Sequence, residues 1–420
     1  IMDYFEINGL KKLNGIVNVS GAKNSVLPLM AAAILNKGSL KISNVPQLSD
    51  SITMSRLLEE MGGKVKFNSD NSISLDTSEL NKPFAPYDLV KTMRASFYVL
   101  GPLIARFGEA KVSLPGGCAW GPRPVDFHLN GLEALGVKIS IENGYVVANG
   151  KNLIGSKIHF PKISVGATGN VLMAAIVAKG TTTITNAASE PEIQQLCEIL
   201  NQMGANISGI GSNTLVIEGV NNLDLVSNVS VIPDRIEAGT FLIAAAASGE
   251  EVEVVNIIPT HLDSVIDCLK EANINVIIKK NSIIIKSSKN DILPTNIETN
   301  EYPGFPTDLQ AQWMALMCLA KGTSTIKENI YFDRFTHIME LNRLGCNIKL
   351  EDSIAIIEGD KSLVGADVMS TDIRASAALI IAALCAKGIT KISRVYHIDR
   401  GYDKIEEKLT TIGAEIFRKK

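Results

Sequence analysis

Aromatic residues make up only 5% of this 420-residue chain, so its cores must rest on Ala, Ile, Leu and Val. Basic residues are not in excess either. The 41 Lys and Arg against 44 Asp and Glu leave a formal charge of -3, which excludes a general polyanion binder and predicts no nucleic-acid partner. The six cysteines (Cys118, Cys197, Cys268, Cys318, Cys346 and Cys385) share no CxxC spacing and no histidine cluster. That excludes the usual zinc signatures and gives no disulfide framework. No apolar run approaches the ~20 residues of a membrane span, and no charged segment followed by an apolar one opens the sequence. The expectation is a soluble, cytoplasmic protein of two or three domains with no membrane contact.

What the sequence does have is repetition. Six segments share one plan: an Ala/Leu-rich helix, a Gly, a β-branched strand, a second helix, and a further strand start. The second half of the plan begins at Gly38 (GSLKISNVPQLSDSITMSRLLEEMGGKVKF), Gly108, Gly180, Gly249, Gly322 and Gly388 (GITKISRVYHIDRGYDKIEEKLTTIGAEI). The period is about 70 residues, longer than the 20–50 of a solenoid repeat, so each unit is a small αβ layer. The helices preceding these glycines, such as SVLPLMAAAIL and SAALIIAALCAK, are apolar nearly all round and predict burial. The second helices, such as DSITMSRLLEEMG, carry apolar residues at three-to-four spacing and belong outside. A glycine closing each helix predicts a left-handed cap. Two sets of three units predict an α/β (α+β) chain of two similar lobes facing a cleft, with helices inside and sheets and second helices around them.

Each buried helix is expected to begin on a polar or charged residue: Lys23 and Asn24, Arg94, Ser164 with Gly166, Arg235, Asp308, and Arg374. Six helix N-termini aimed at one cleft would make an anion trap. Arg123, Arg334, Arg394 and Arg400 add guanidiniums suited to carboxylate and phosphate. The segment LPGGCAWGPRPVDFH departs most from the repeat, inserting a glycine loop around Cys118 close to Arg123. A cationic setting lowers a thiol's pKa and makes it a proton donor or nucleophile. The other five cysteines are read as buried spacers, and His128 as a structural residue near a helix start.

Four motifs in order, SGAKNSVLPLMAAAIL, PGGCAWGPRPVDFHLNGLEALG, EYPGFPTDLQAQWMA and HIDRGYDKIEEKL, make the chain resemble the UDP-N-acetylglucosamine 1-carboxyvinyltransferases from end to end. The resemblance implies two lobes, each an inside-out αβ barrel of three repeated βαβαββ-like units. It implies lobes at 24–231 and at 1–23 plus 232–420, with the active site in the cleft between them. It implies no cofactor and two small partners, phosphoenolpyruvate and UDP-N-acetylglucosamine; nothing in the sequence demands more than a monomer. Residue by residue, Cys118 matches the loop cysteine that protonates phosphoenolpyruvate and can form an adduct with it. Asp308 matches the general base at the sugar 3'-hydroxyl, and Lys23, Arg123 and Arg400 match cations on the phosphate and carboxylate. Asn24 matches a sugar contact and Arg94 a nucleotide-sugar contact. Arg123, Pro124, Val125, Asp126 and Phe127, with Lys162, Ser164, Val165 and Gly166, match the uridine and diphosphate cradle. Ile330 matches an aliphatic position at the acetamido side, and Arg334, Asp372 and Arg374 match polar residues of the second-lobe face. Trp120 stands where the family usually has an aliphatic residue.

Three other readings compete. The 3-phosphoshikimate 1-carboxyvinyltransferases share fold and chemistry, but the cysteine loop and the RPVD run favour the sugar nucleotide. A non-catalytic sugar-nucleotide regulator would need neither Cys118 nor Asp308. An RNA-end-processing enzyme would want a basic surface and a catalytic histidine.

Overall fold

The computed structural model describes residues 3–115, 125–286 and 291–420. Cys118, Trp120, Arg123 and Pro124 lie outside the described residues. The chain divides into two compact units, one of residues 21–232 and one of residues 1–20 with 233–420.

The unit of residues 21–232 carries three four-stranded sheets, each built by the same rule. In one, Lys157–His159 runs parallel to Thr181–Thr185, which pairs antiparallel with Thr214–Glu218, itself antiparallel to Asn206–Ser208. A helix joins the first strand to the second (Val165–Ala175), and another joins the second to the third in sequence (Pro191–Gln202). Parallel neighbours need such a crossover, whereas the last two strands close as a hairpin. The sheet of Phe84–Ala85, Glu109–Ser113, Tyr145–Asn149 and Lys138–Glu142 repeats the pattern. In the third, the parallel edge strand Asn228–Ser230 comes from the far end of the unit and joins Ser39–Ser43.

The other unit repeats the rule with two borrowings from the N-terminus. Leu13–Asn18 is the parallel edge strand for Gly249–Val255, while Tyr4–Asn8 sits between Ile389–Ser393 and Glu415–Lys419. Ile297–Glu298, Thr323–Lys327, Ile354–Glu358 and Asn347–Glu351 form the remaining sheet. Within each unit the three sheets are separate among the described residues, so the layers wrap the helices without hydrogen-bonding into a closed barrel.

Burial follows the sequence pattern. The helix Lys23–Asn36 is buried at every position but Asn24, and Ile373–Cys385 is nearly as enclosed. Small residues let such helices pack closely: a Cβ on Gly101 would stand 2.0 Å from the carbonyl oxygen of Asn170 in the facing helix. The second helices, such as Ser49–Glu60 and Asp263–Glu271, bury one side only. Left-handed glycines follow five of the second helices, at Gly62, Gly136, Gly204, Gly345 and Gly413. The expectation fails at the helix Arg235–Ser248, whose closing Gly249 is extended (φ -80°, ψ 152°) because the chain runs straight into a strand. No helix among the described residues is long and apolar enough to cross a membrane.

Candidate active site

In the unit of residues 1–20 and 233–420, the start of the buried helix Gln310–Met317 is a 3-10 turn, Thr307–Leu309, which brings Asp308 to the helix entrance. Its carboxylate is held from both sides. Oδ1 lies 2.8 Å from Arg334 Nη1 and Oδ2 accepts from Arg374 Nη2 at 2.8 Å. Both arginines are buried, at 7% and 4% exposure, while the Asp308 side chain stays a quarter exposed. The guanidinium of Arg374 also lies over the Tyr402 ring, 5.3 Å from its centroid. Tyr402 is fixed in turn, its hydroxyl within hydrogen-bond reach of Thr240 (2.7 Å) and Gln312 (3.1 Å).

Burial alone would raise the Asp308 pKa, but the charges of Arg374 and Arg334 and their hydrogen bonds outweigh it and hold the group well below the usual carboxylate range. For Arg374, burial would favour proton loss, yet Asp308 holds its pKa above the ordinary value. The cluster is therefore an anion between two cations that repel each other, with Asp372 acting on Arg334 and Asp234 on Arg374 besides.

Asp372 and Arg374 belong to the same arrangement. Asp372 caps the helix Ile373–Cys385, its Oδ1 accepting from the amides of Arg374 (2.8 Å) and Ala375 (3.1 Å). Asp234 caps Arg235–Ser248 likewise, and the Ser164 hydroxyl accepts from Ala167 N. These caps correct one expectation: at three of the six helix starts the amides are met by the chain's own side chains, so the helix ends alone do not form an open anion trap. Arg400 ends the 3-10 turn Val395–Arg400, and a Cβ on the next residue, Gly401, would stand 3.7 Å from Arg374 Nη1. Arg394 is exposed, with left-handed backbone (φ 58°).

In the unit of residues 21–232, Lys23 opens its helix and forms an ion pair with Asp50 at 2.8 Å, both groups largely buried. Asn24 beside it is exposed. A second group gathers around His128 in the helix Asp126–Ala134. The His128 ring meets Phe97 edge-on at 5.2 Å, and its Nδ1 lies 3.0 Å from Asn170 Nδ2. A Cβ on Gly166 would come within 3.1 Å of the ring, so the Ser164–Gly166 turn approaches it closely. Burial, with the charge of Arg94 adding to it, lowers the His128 pKa to about 3. That is a structural histidine, neutral at physiological pH. Phe127 packs near Phe160, Val125 is buried, and Asp126 and Lys162 are exposed.

Sequence reasoning missed Asp50, Thr307, Glu328 and Tyr402. Nothing in LSDS marks Asp50 as the partner of a lysine 27 positions earlier. The PTD triplet carried a signal for Thr307, whose hydroxyl accepts from Arg334 Nη1 at 3.0 Å. His337, whose spacing suggests no ligand, is buried, and its Nε2 has no hydrogen-bond partner among the described residues.

A relative from a Nitratiruptor species, named UDP-N-acetylglucosamine 1-carboxyvinyltransferase, is 51% identical over 419 residues and covers 99% of both chains. One of the same name from Chlorobaculum parvum is 52% identical over 420 residues, covering 99% of this chain and 98% of that one. The chain belongs to the UDP-N-acetylglucosamine 1-carboxyvinyltransferase family. The broader family model described as EPSP synthase (3-phosphoshikimate 1-carboxyvinyltransferase) matches residues 7–409. Among solved structures, the enolpyruvyl transferase NikO from Streptomyces tendae is similar at a TM-score of 0.91 and 25% identity, covering 99% of each chain. An EPSP synthase from Acinetobacter baumannii is similar in fold at a TM-score of 0.77 and 17% identity, over the whole of both chains. The carboxyvinyltransferase reading of the four motifs therefore stands above the shikimate alternative. Among the described residues there is no cluster of three or more His, Cys, Asp or Glu able to hold a metal.

Proposed function

We propose that this chain transfers the enolpyruvyl group of phosphoenolpyruvate to the 3'-hydroxyl of UDP-N-acetylglucosamine with release of phosphate. This is the opening step of peptidoglycan precursor synthesis, carried out in the cytoplasm by a monomer. Cell-wall biogenesis, and with it cell shape and division, follows from that reading. One observation carries it: Asp308 is fixed between Arg334 and Arg374 in a chain whose full-length relatives at 51–52% identity bear that name.

In this reading Cys118 delivers a proton to the methylene carbon, leaving an oxocarbenium-like centre at the carbon that bears the phosphate ester. The 3'-hydroxyl oxygen bonds to that centre as its proton passes to Asp308. The ketal then expels phosphate and loses a proton from the new methyl group, restoring the enol ether. Asp308, held below the usual carboxylate range by two guanidiniums, is a weak base toward a resting hydroxyl. It takes the proton only as the new C–O bond makes that proton acidic. Lys23, Arg123 and Arg400 offset the charge of the phosphate and carboxylate. Asp50 keeps the Lys23 ammonium oriented through the 2.8 Å ion pair. Asn24, Arg94, Pro124, Val125, Asp126, Phe127, Lys162, Ser164, Val165, Gly166, Ile330 and Asp372 are assigned to the nucleotide sugar.

The test is phosphate release from phosphoenolpyruvate with UDP-N-acetylglucosamine, beside shikimate 3-phosphate and beside phosphoenolpyruvate alone. Release with the sugar nucleotide only, lost in Asp308→Ala, is the expected result. Sugar-nucleotide binding without release from any mixture would instead make the chain a regulator.

A further inference from the structure

Glu328 follows the strand Thr323–Lys327, is fully buried, and has no part in the chemistry above. Its Oε1 accepts three hydrogen bonds, from the Thr299 hydroxyl (2.7 Å) and the backbone amides of Ile330 (2.9 Å) and Tyr331 (3.0 Å). Its Oε2 accepts from the Thr307 hydroxyl at 2.9 Å.

The two threonines are arranged to donate. Thr299 Oγ1 receives the Asn329 amide at 3.0 Å, and Thr307 Oγ1 receives Arg334 Nη1 at 3.0 Å. With an N–H donor already directed at each hydroxyl oxygen, each hydroxyl proton is left for Glu328. The same Arg334 Nη1 lies 2.8 Å from Asp308 Oδ1. One buried carboxylate thereby fastens two segments: the turn that carries Asp308, and the loop that carries Ile330 and Arg334.

We propose that Glu328 is a positioning residue for the transfer reaction, setting the aim of the Asp308 carboxylate through Thr307 and Arg334 and holding the Ile330 loop by its amides. The inference rests on the reading of Asp308 as the base. Glu328→Gln isolates it. The amide oxygen can keep the three bonds of Oε1, while the NH2 group falls opposite Thr307 Oγ1. Two N–H donors then converge on that oxygen, its own proton has lost its acceptor, and Arg334 loses a fixed seat beside Asp308. A small misplacement of a reacting group lowers turnover far more than binding, so kcat should fall about tenfold to a hundredfold. The KM for phosphoenolpyruvate should stay within about twofold.

The experiment measures kcat, both KM values, and the pH profile of kcat by phosphate release on the full chain. The variants are Glu328→Gln, Thr307→Val, Thr307→Ser and Asp308→Asn. Thr307→Val should match the loss in Glu328→Gln, and Thr307→Ser, which keeps the hydroxyl, should restore most of kcat. The acid limb of the kcat profile should move upward in Glu328→Gln, since a loosened Arg334 depresses the Asp308 carboxyl less. A folded Glu328→Gln with wild-type kcat overturns the proposal, as does equal activity in Thr307→Val and Thr307→Ser. If Glu328→Gln does not fold, the valine and serine pair decides alone. Full activity in Asp308→Asn would remove the base assignment itself, and the inference with it. Loss in Asp308→Asn with a wild-type Glu328→Gln removes only the inference.

Discussion

Replacing Asp308 by Asn should damage the fold as well as the reaction, and the two effects can be separated. The carboxylate sits 2.8 Å from a nitrogen of each of two buried guanidiniums. With charge centres about 4 Å apart and an effective dielectric of about 20, each contact is worth about 4 kcal/mol of gross attraction. Desolvation offsets much of that, but removing the anion recovers nothing, because both arginines remain buried and keep only the charges of Asp372 on Arg334 and Asp234 on Arg374 against their repulsion. Breaking a buried pair from one side destabilises by about 3–5 kcal/mol, and the partial exposure of Asp308 brings the expectation to about 2–4 kcal/mol. Urea unfolding at neutral pH reads the loss. If the two units unfold in separate transitions, only that of residues 1–20 and 233–420 should move. Sulfate should stabilise the variant more than the wild type, since losing the Asp308 charge makes the surroundings of the two guanidiniums more positive and a ligand that binds only the native state raises stability. The pH arm has a definite sign. A carboxylate held low in the fold contributes stability that is complete above its unfolded pKa of about 3.9 and is lost as pH falls below it. The gap between wild type and variant should therefore be equal at pH 7 and pH 5 and shrink only in stronger acid. A loss under about 1 kcal/mol with no sulfate effect would refute this account.

The remaining expectations concern groups away from Asp308. Burial lowers His337 to about 4 and His128 to about 3, so both are neutral in the fold and stability falls as pH drops below their unfolded value of about 6.5. Replacing either by Gln should reduce the slope of stability between pH 6 and 5 by about 1.2 kcal/mol per pH unit, and an unchanged slope in acid titrations of unfolding refutes the assignment. Gly101→Ala forces a methyl against the Asn170 carbonyl and should destabilise by about 3 kcal/mol or prevent folding, so an unchanged melting temperature would contradict the packing described. Burial pushes the thiols of Cys197 and Cys385 up to about 12 and Cys268 to about 11. Cys318 and Cys346 are buried as well, so iodoacetamide at neutral pH should label native protein at Cys118 alone and not label Cys118→Ala; peptide mapping that finds another modified cysteine defeats this.

How much of this was legible in the sequence depends on the range over which each feature is decided. The six-unit plan is local: an all-round apolar helix such as SAALIIAALCAK reads as an interior element and the short β-branched run in TLVIE as a strand, which is how both stand. Helix ends were less legible, because Gly249 joins its helix directly to a strand while the glycines after the outer helices must turn the chain back. Strand partnership is decided at the longest range. Phe5 pairs with Ile392 and Arg418, and no pattern within YFEIN specifies partners that distant. The site divides in the same way. Asp308 and Arg374 stood out as charges at the starts of apolar helices and Arg334 as a guanidinium suited to an anion, while the resemblance gave all three their roles. Asp50 and Glu328 were missed because an acidic residue beside a polar stretch is the commonest pattern of a solvated surface. What marks them is burial together with a specific donor, the Lys23 ammonium for one and four hydrogen bonds for the other. A buried carboxylate must be paired or fully hydrogen-bonded to persist. The residues that hold a site in shape are therefore those whose character local sequence conceals, and the groups proposed to meet the substrate are those it exposes.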